Sequence, residues 1–144
     1  MMNPDLLFSI CTKLVLPGWL LLLVAPRWKW TERIIYSFAL PLLLAVVYLY
    51  LVLTYFGKSQ GGFGSLAQVA LLFQDRHLLL AGWIHYLAFD LFIGSWEVRN
   101  AQREGIHHLF LVPCLLLTFF FGPTGLLLYF LLRWSLRRKL VVTA

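Results

Sequence analysis

The stretch Ala81-Gly82-Trp83-Ile84-His85-Tyr86-Leu87-Ala88-Phe89-Asp90-Leu91-Phe92 decides the fold. It lies in an apolar run long enough to cross a bilayer, yet it carries a histidine and an aspartate near its middle. An ionisable group at that depth costs roughly 2.5–3.5 kcal/mol to insert, so such groups mark a site or a helix–helix contact. The chain around it has 144 residues, 61% hydrophobic and 12% charged. A water-soluble domain of this size does not hide so much apolar surface. Several runs approach or exceed the ~18–20 residues of a spanning helix. The expected fold is all-α: a polytopic membrane protein with a bundle of four transmembrane helices, forming one transmembrane domain over residues 1–144.

Working outward, the spanning helices are expected at about 5–25, 32–56, 77–98 and 106–133. Pro4 and Asp5 suit the start of the first, and Pro17-Gly18 marks a kink or a close approach within it. Pro26-Arg27-Trp28-Lys29-Trp30 closes it as an interfacial anchor, with the indoles at headgroup depth. Thr31-Glu32 opens the second helix, which Pro41 bends. The glycine-rich stretch Gly57–Gly64 reads as a loop. Ser65-Leu66-Ala67-Gln68 then matches a capping box. The short helix it starts, over about 65–73, cannot span and is expected at the interface between helices 2 and 3. Arg99–Gly105 reads as a polar turn, and Gly122-Pro123-Thr124-Gly125 should kink or break the fourth helix.

The net charge of +6 gathers at the ends of apolar runs, as Arg27/Lys29/Arg33 and Arg133/Arg137/Arg138/Lys139. That pattern fits anchoring to membrane lipid rather than nucleic acid. Four crossings put both termini on one side with Lys58, Arg76, Arg133, Arg137, Arg138 and Lys139. Arg27, Lys29, Arg33, Arg99 and Arg103 fall on the other, a slight bias that makes both termini cytoplasmic. Ala25 is followed by Pro26, which does not suit signal cleavage, so the first helix is expected to be retained. With no Ser/Arg-rich transit segment, the expected location is a bacterial inner or photosynthetic membrane. Cys11 and Cys114 lie in apolar runs with no redox or metal spacing.

On a wheel of about 100° per residue, Trp83, Tyr86, Asp90, Gly94 and Glu97 share one face of the third helix. His85 shares another with Ala81, Phe89, Phe92 and Trp96. Asp90 and His85 are thus about 140° apart, and a shared site needs neighbouring helices. Apolar surroundings favour a neutral carboxyl, which can donate a proton that a histidine accepts. Asp90 as acid and His85 as base suit proton transfer on an apolar substrate, such as double-bond isomerisation or epoxide opening. The other reading is structural, with both groups hydrogen-bonded across helices to a tyrosine, Thr118, Lys13 or backbone. Lys13 itself either snorkels to the interface or pairs with an acid inside the bundle. Trp83, Tyr86, Phe89, Trp96, Glu97, Lys13, Thr118 and Pro123 are the candidate ligand-binding residues. An aromatic content of 17% suits a flat or polyene ligand. His77, His85, His107 and His108 form no HxxxH, HxxH or ExxH pattern, so neither a metal nor a haem is expected, and no other cofactor. There is no two-span repeat of the kind transporters carry.

Three strings carry a resemblance: Gly82–Gly94, then Val112-Pro113-Cys114-Leu115-Leu116-Leu117-Thr118-Phe119, then Phe121-Gly122-Pro123-Thr124-Gly125-Leu126-Leu127. With Leu16-Pro17-Gly18-Trp19 and Ala25-Pro26-Arg27-Trp28, they resemble the abscisic-acid-deficient family of small membrane proteins. Its plant members are plastid proteins linked to making neoxanthin from violaxanthin. The resemblance implies a four-helix membrane protein and a carotenoid or related isoprenoid ligand. That conversion opens an epoxide and moves a proton to make an allene, which uses an acid and a base. The alternative it leaves is a pigment- or lipid-binding module, a homo-oligomer or a partner of another membrane protein, without chemistry of its own.

Overall fold

The structure is a computed structural model that describes residues 3–138. Among the described residues all regular structure is helical: α1 (Pro4–Val24), α2 (Lys29–Ile34), α3 (Ala39–Tyr55), a 3-10 turn (Phe56–Lys58), α4 (Leu66–Leu72), α5 (Arg76–Arg103), α6 (His108–Phe121) and α7 (Pro123–Arg137). Three helical stretches, Pro4–Val24, Lys29–Lys58 and Arg76–Arg103, are long and apolar enough to cross a membrane. Lys139, counted above among the basic residues, lies outside the described residues. The chain divides into two compact units, Met1–Leu16 with Ala39–Phe89 and Pro17–Phe38 with Asp90–Ala144. Helices α1 and α5 each contribute to both.

In the first unit the core is aliphatic, with Val15, Leu44, Leu51 and Ile84 buried. Ser65 is the N-cap of α4, its hydroxyl accepting from Gln68 N at 3.3 Å. The reciprocal reach differs from a standard capping box: Gln68 Oε1 accepts from Gly64 N at 3.1 Å. Asp75 Oδ1 accepts from His77 N (2.8 Å) and Leu78 N (3.1 Å), which satisfies donors at the start of α5. Arg76 and Asp5 form an ion pair of 2.6 Å. Both are exposed, so the pair contributes about 0–1 kcal/mol in an aqueous setting.

The second unit departs from the sequence reading at three places. The helix expected over 32–56 is split: Phe38 sits at φ 58°, between α2 and α3. A left-handed conformation costs a non-glycine residue roughly 1–2 kcal/mol, and the Phe38 ring packs on Phe92 with centroids 4.9 Å apart. Pro41 is therefore the third residue of α3, where the missing N–H breaks no helical bond, and it does not bend a longer helix. Next, α5 continues to Arg103 and Glu104 N still bonds Asn100 O at 2.9 Å, so the expected polar turn begins only after the helix has carried Asn100 inward.

Last, the break expected at Gly122-Pro123-Thr124-Gly125 within the 106–133 helix is present, and it is a full reversal that makes the stretch a helical hairpin. Gly122, at φ 42° and ψ −96°, reverses the chain between α6 and α7. Glycine reaches this conformation at no steric cost, and Pro123 at the first position of α7 has no N–H to leave unsatisfied. The arms then pack so closely that a Cβ on Gly125 would collide with the Thr118 backbone and hydroxyl and with Cys114 O. Partners on α5 and just past its end fix the directions. Glu97 meets Thr118, whereas Asn100 meets Tyr129 and Glu104 meets Arg133. Thus α6 runs antiparallel to α5, and α7 runs back alongside α5 in its own direction. Arg137 closes the far end, donating to Gly105 O at 2.7 Å.

Candidate functional site

The first unit holds two apolar clefts against the first half of α5. One, of about 620 Å³, is lined by Phe8, Phe73, Leu80, Trp83 and Tyr86, with Asp5 and Arg76 also on its wall. Trp83 is fixed there by three neighbours. Its Nε1–H donates to Thr12 Oγ1 at 3.0 Å, and its ring packs on Phe8 (5.5 Å) and Tyr86 (5.3 Å). The other cleft, of about 470 Å³, is lined by Tyr48, Phe56, Phe63, Phe73, Gly82 and His85, among others. The His85 ring lies 5.8 Å from Tyr48 and 4.6 Å from Phe89. Clefts of this size, mostly apolar with a few polar groups, are what small apolar ligands occupy.

The second unit holds a buried polar seam along the second half of α5. Asp90 is 9% exposed and faces the hairpin apex, where a Cβ on Gly122 would stand 2.8 Å from its Oδ1. Glu97 is wholly buried, and Thr118 Oγ1 donates to its two carboxylate oxygens at 3.1 Å each. Tyr129 OH donates to Asn100 Oδ1 at 2.6 Å. Arg133, also wholly buried, donates to Glu104 Oε1 at 2.9 Å. Glu97, Asn100 and Arg133 thus each have a hydrogen-bonding partner from a neighbouring element, as low-dielectric surroundings favour. Asp90 additionally lies beside the N-terminus of α7, where the helix dipole favours a carboxylate.

The candidate residues therefore fall into different surroundings. Trp83, Tyr86 and His85 line the clefts of the first unit, and Phe89 stands exposed beside His85. Asp90, Glu97 and Thr118 belong to the seam of the second. Trp96 packs edge-on against Tyr129 (5.6 Å) and beside Phe130 (5.8 Å), so it serves the α5–α7 contact. Lys13 is exposed on α1, and Pro123 is exposed at the first position of α7. Asn100, Glu104, Tyr129 and Arg133 were not among the candidates. Their signal was present: Asp90, Glu97, Asn100 and Glu104 follow at intervals near whole helical turns. Ending the helix at Val98 hid it. Arg133, expected to anchor to lipid headgroups, is instead an interior residue.

Among the described residues, regular structure that is all helical, three stretches of membrane-spanning length, aromatic clefts and a buried carboxylate seam define a small helical protein of membrane type. The chain belongs to the ABA DEFICIENT 4-like family, whose description matches residues 6–129. It is similar to Protein ABA DEFICIENT 4, chloroplastic, of Arabidopsis thaliana, at 29% identity over 131 residues. The match covers 85% of this chain and 58% of that protein, so the chain spans little more than half of its relative's length. No solved structure matches it.

Proposed function

We propose that this chain is an integral membrane protein that binds a carotenoid-like polyene in the aromatic clefts beside α5. The observation that carries the reading is the pair of clefts lined by Trp83, Tyr86, Phe73, Tyr48 and His85. Flat aromatic faces suit a conjugated chain, and the family supports a ligand of that class. The finer reading is an isomerase-like reaction with His85 as base and Asp90 as acid. An epoxide C–O bond would break, its oxygen would take a proton, and a carbon would lose one, with no oxidant consumed. A non-catalytic pigment-binding module, or a partner subunit of a membrane complex, is the second reading. It is favoured by the place of Asp90, which lies against the hairpin apex rather than in either cleft.

The test separates these. Purified protein is expected to retain a supplied polyene, read by its absorption spectrum after detergent washing. His85→Ala and Asp90→Asn are each expected to lower product formation by about 100-fold or more while the protein stays folded. Full turnover by both variants removes the acid/base assignment. A wild-type protein that retains no polyene removes the binding reading.

The topology proposed for the chain follows from the hairpin. Helix α1, the α2–α3 stretch and α5 each cross once, while α6–α7 enters and leaves on one side, in place of a fourth crossing. Arg27, Lys29, Arg33, Arg99, Arg103, Arg137 and Arg138 then share a side, against Lys58 and Arg76 on the other. That bias makes the C-terminus cytoplasmic and puts the N-terminus across the membrane. It replaces the expectation of two cytoplasmic termini, which rested on four crossings. Reporter fusions are expected to be active in the cytoplasm at the C-terminus and outside it at the N-terminus. The same location for both ends would return the chain to four crossings.

A further inference from the structure

Phe73 follows the last residue of α4, and its ring covers Gly82 on α5. A Cβ on Gly82 would stand 2.7 Å from Phe73 Cε1 and 3.4 Å from Cζ, so the ring rests directly on the bare backbone. Both residues line both clefts. The ring is therefore the shared wall between them. Trp83 and Tyr86 line the cleft on one side of Gly82 and Ala81 and His85 the cleft on the other, all within about two turns of α5.

The wall is also partly exposed. Phe73 is 42% exposed, and it caps a helix of only seven residues. Its far ring atoms make the contact with Gly82, so rotation about the side-chain bonds clears the glycine without moving either backbone. By contrast Trp83 is tied by its indole N–H, and His85 is set between two rings. We propose that Phe73 is a movable partition in a single divided groove, and that its displacement from Gly82 opens a continuous course for one elongated apolar chain. The occupant is a long conjugated polyene, and the inference rests on the binding reading above. The two clefts share Gly82, whose lack of a side chain leaves room beside α5 once the ring moves away. A groove divided by Phe73 accepts short chains on either side, so this residue sets ligand length.

The test compares a full-length carotenoid-like polyene with a half-length polyene, each equilibrated with the purified full chain in detergent. Phe73→Ala is expected to raise affinity for the long polyene about tenfold, through the extra apolar length it buries, and to leave the short one within about twofold. Phe73→Trp is expected to do the reverse, weakening the long ligand only, which guards against a variant that merely loosens α4. Equal changes for both lengths, or none, overturn the partition while leaving polyene binding intact. Wild-type protein that binds neither length overturns the binding reading and the partition with it. Retention of phospholipid that neither polyene displaces assigns the clefts to acyl chains and overturns the proposal.

Discussion

Glu104→Ala is expected to lower the stability of the protein by about 3–5 kcal/mol, the cost of breaking a buried ion pair by removing one partner. The Arg133 side chain has no exposure and that of Glu104 has 17%, and the two meet at 2.9 Å. Without the carboxylate the guanidinium keeps its desolvation cost and loses its counter-charge. The paired replacement Glu104→Leu with Arg133→Met should recover most of the loss, because two apolar side chains have no charge to desolvate. Denaturation in detergent micelles, followed by circular dichroism, reads both. The experiment also decides between two roles for Arg133. An arginine anchored among lipid headgroups, as its place in a basic cluster implies, would make Glu104→Ala nearly silent. A loss below about 1 kcal/mol would favour that role.

The second large effect is expected at Gly125. Its absent side chain is what lets α7 lie against α6, since a Cβ would overlap the Thr118 backbone and Cys114 O. Backbone cannot step aside as a side-chain tip can, so Gly125→Ala has to part the two arms. A destabilisation of about 3 kcal/mol or more is expected, at the upper end for overpacking a close contact. Because Thr118 is the residue displaced, its bonds to Glu97 should lengthen at the same time. Gly57→Ala is the control: nothing lies within 4 Å of its Cβ position, and the change should be silent to within about 1 kcal/mol. Equal melting of the two variants would mean that the hairpin does not pack in this way.

The sequence makes some of this architecture legible and hides the rest for physical reasons. Apolar run length reveals α1 and the first three quarters of α5, because helices of that composition need no partner to be recognised. Ser65 as a cap is legible because its hydroxyl acts on a donor three residues away. The break at Phe38 is not, because a phenylalanine in a left-handed conformation is held by a ring contact with Phe92, distant in sequence. Polar residues misled most. Asn100 and Glu104 read as a turn since nothing nearby in sequence satisfies them, and their partners Tyr129 and Arg133 arrive only when α7 folds back. The same holds for the candidate site. Trp83, Tyr86 and His85 stand out as aromatic and titratable groups in an apolar helix. Phe73 carries no such mark, because its importance comes from the glycine beneath it.

The α6–α7 hairpin bears on how the chain is made. At about 1.5 Å per residue its arms of 14 and 15 residues reach only some 21–23 Å, short of a hydrocarbon layer of about 30 Å. In the proposed topology neither arm can be released into lipid by itself as a crossing segment. Thr118 and Tyr129 meet their partners on α5, and Arg133 meets Glu104 just past its end. On that topology the hairpin is expected to settle only once α5 is in place to receive it. A chain stalled after α5 would leave Glu97 and Asn100 without the Thr118 and Tyr129 hydroxyls that the hairpin brings to them.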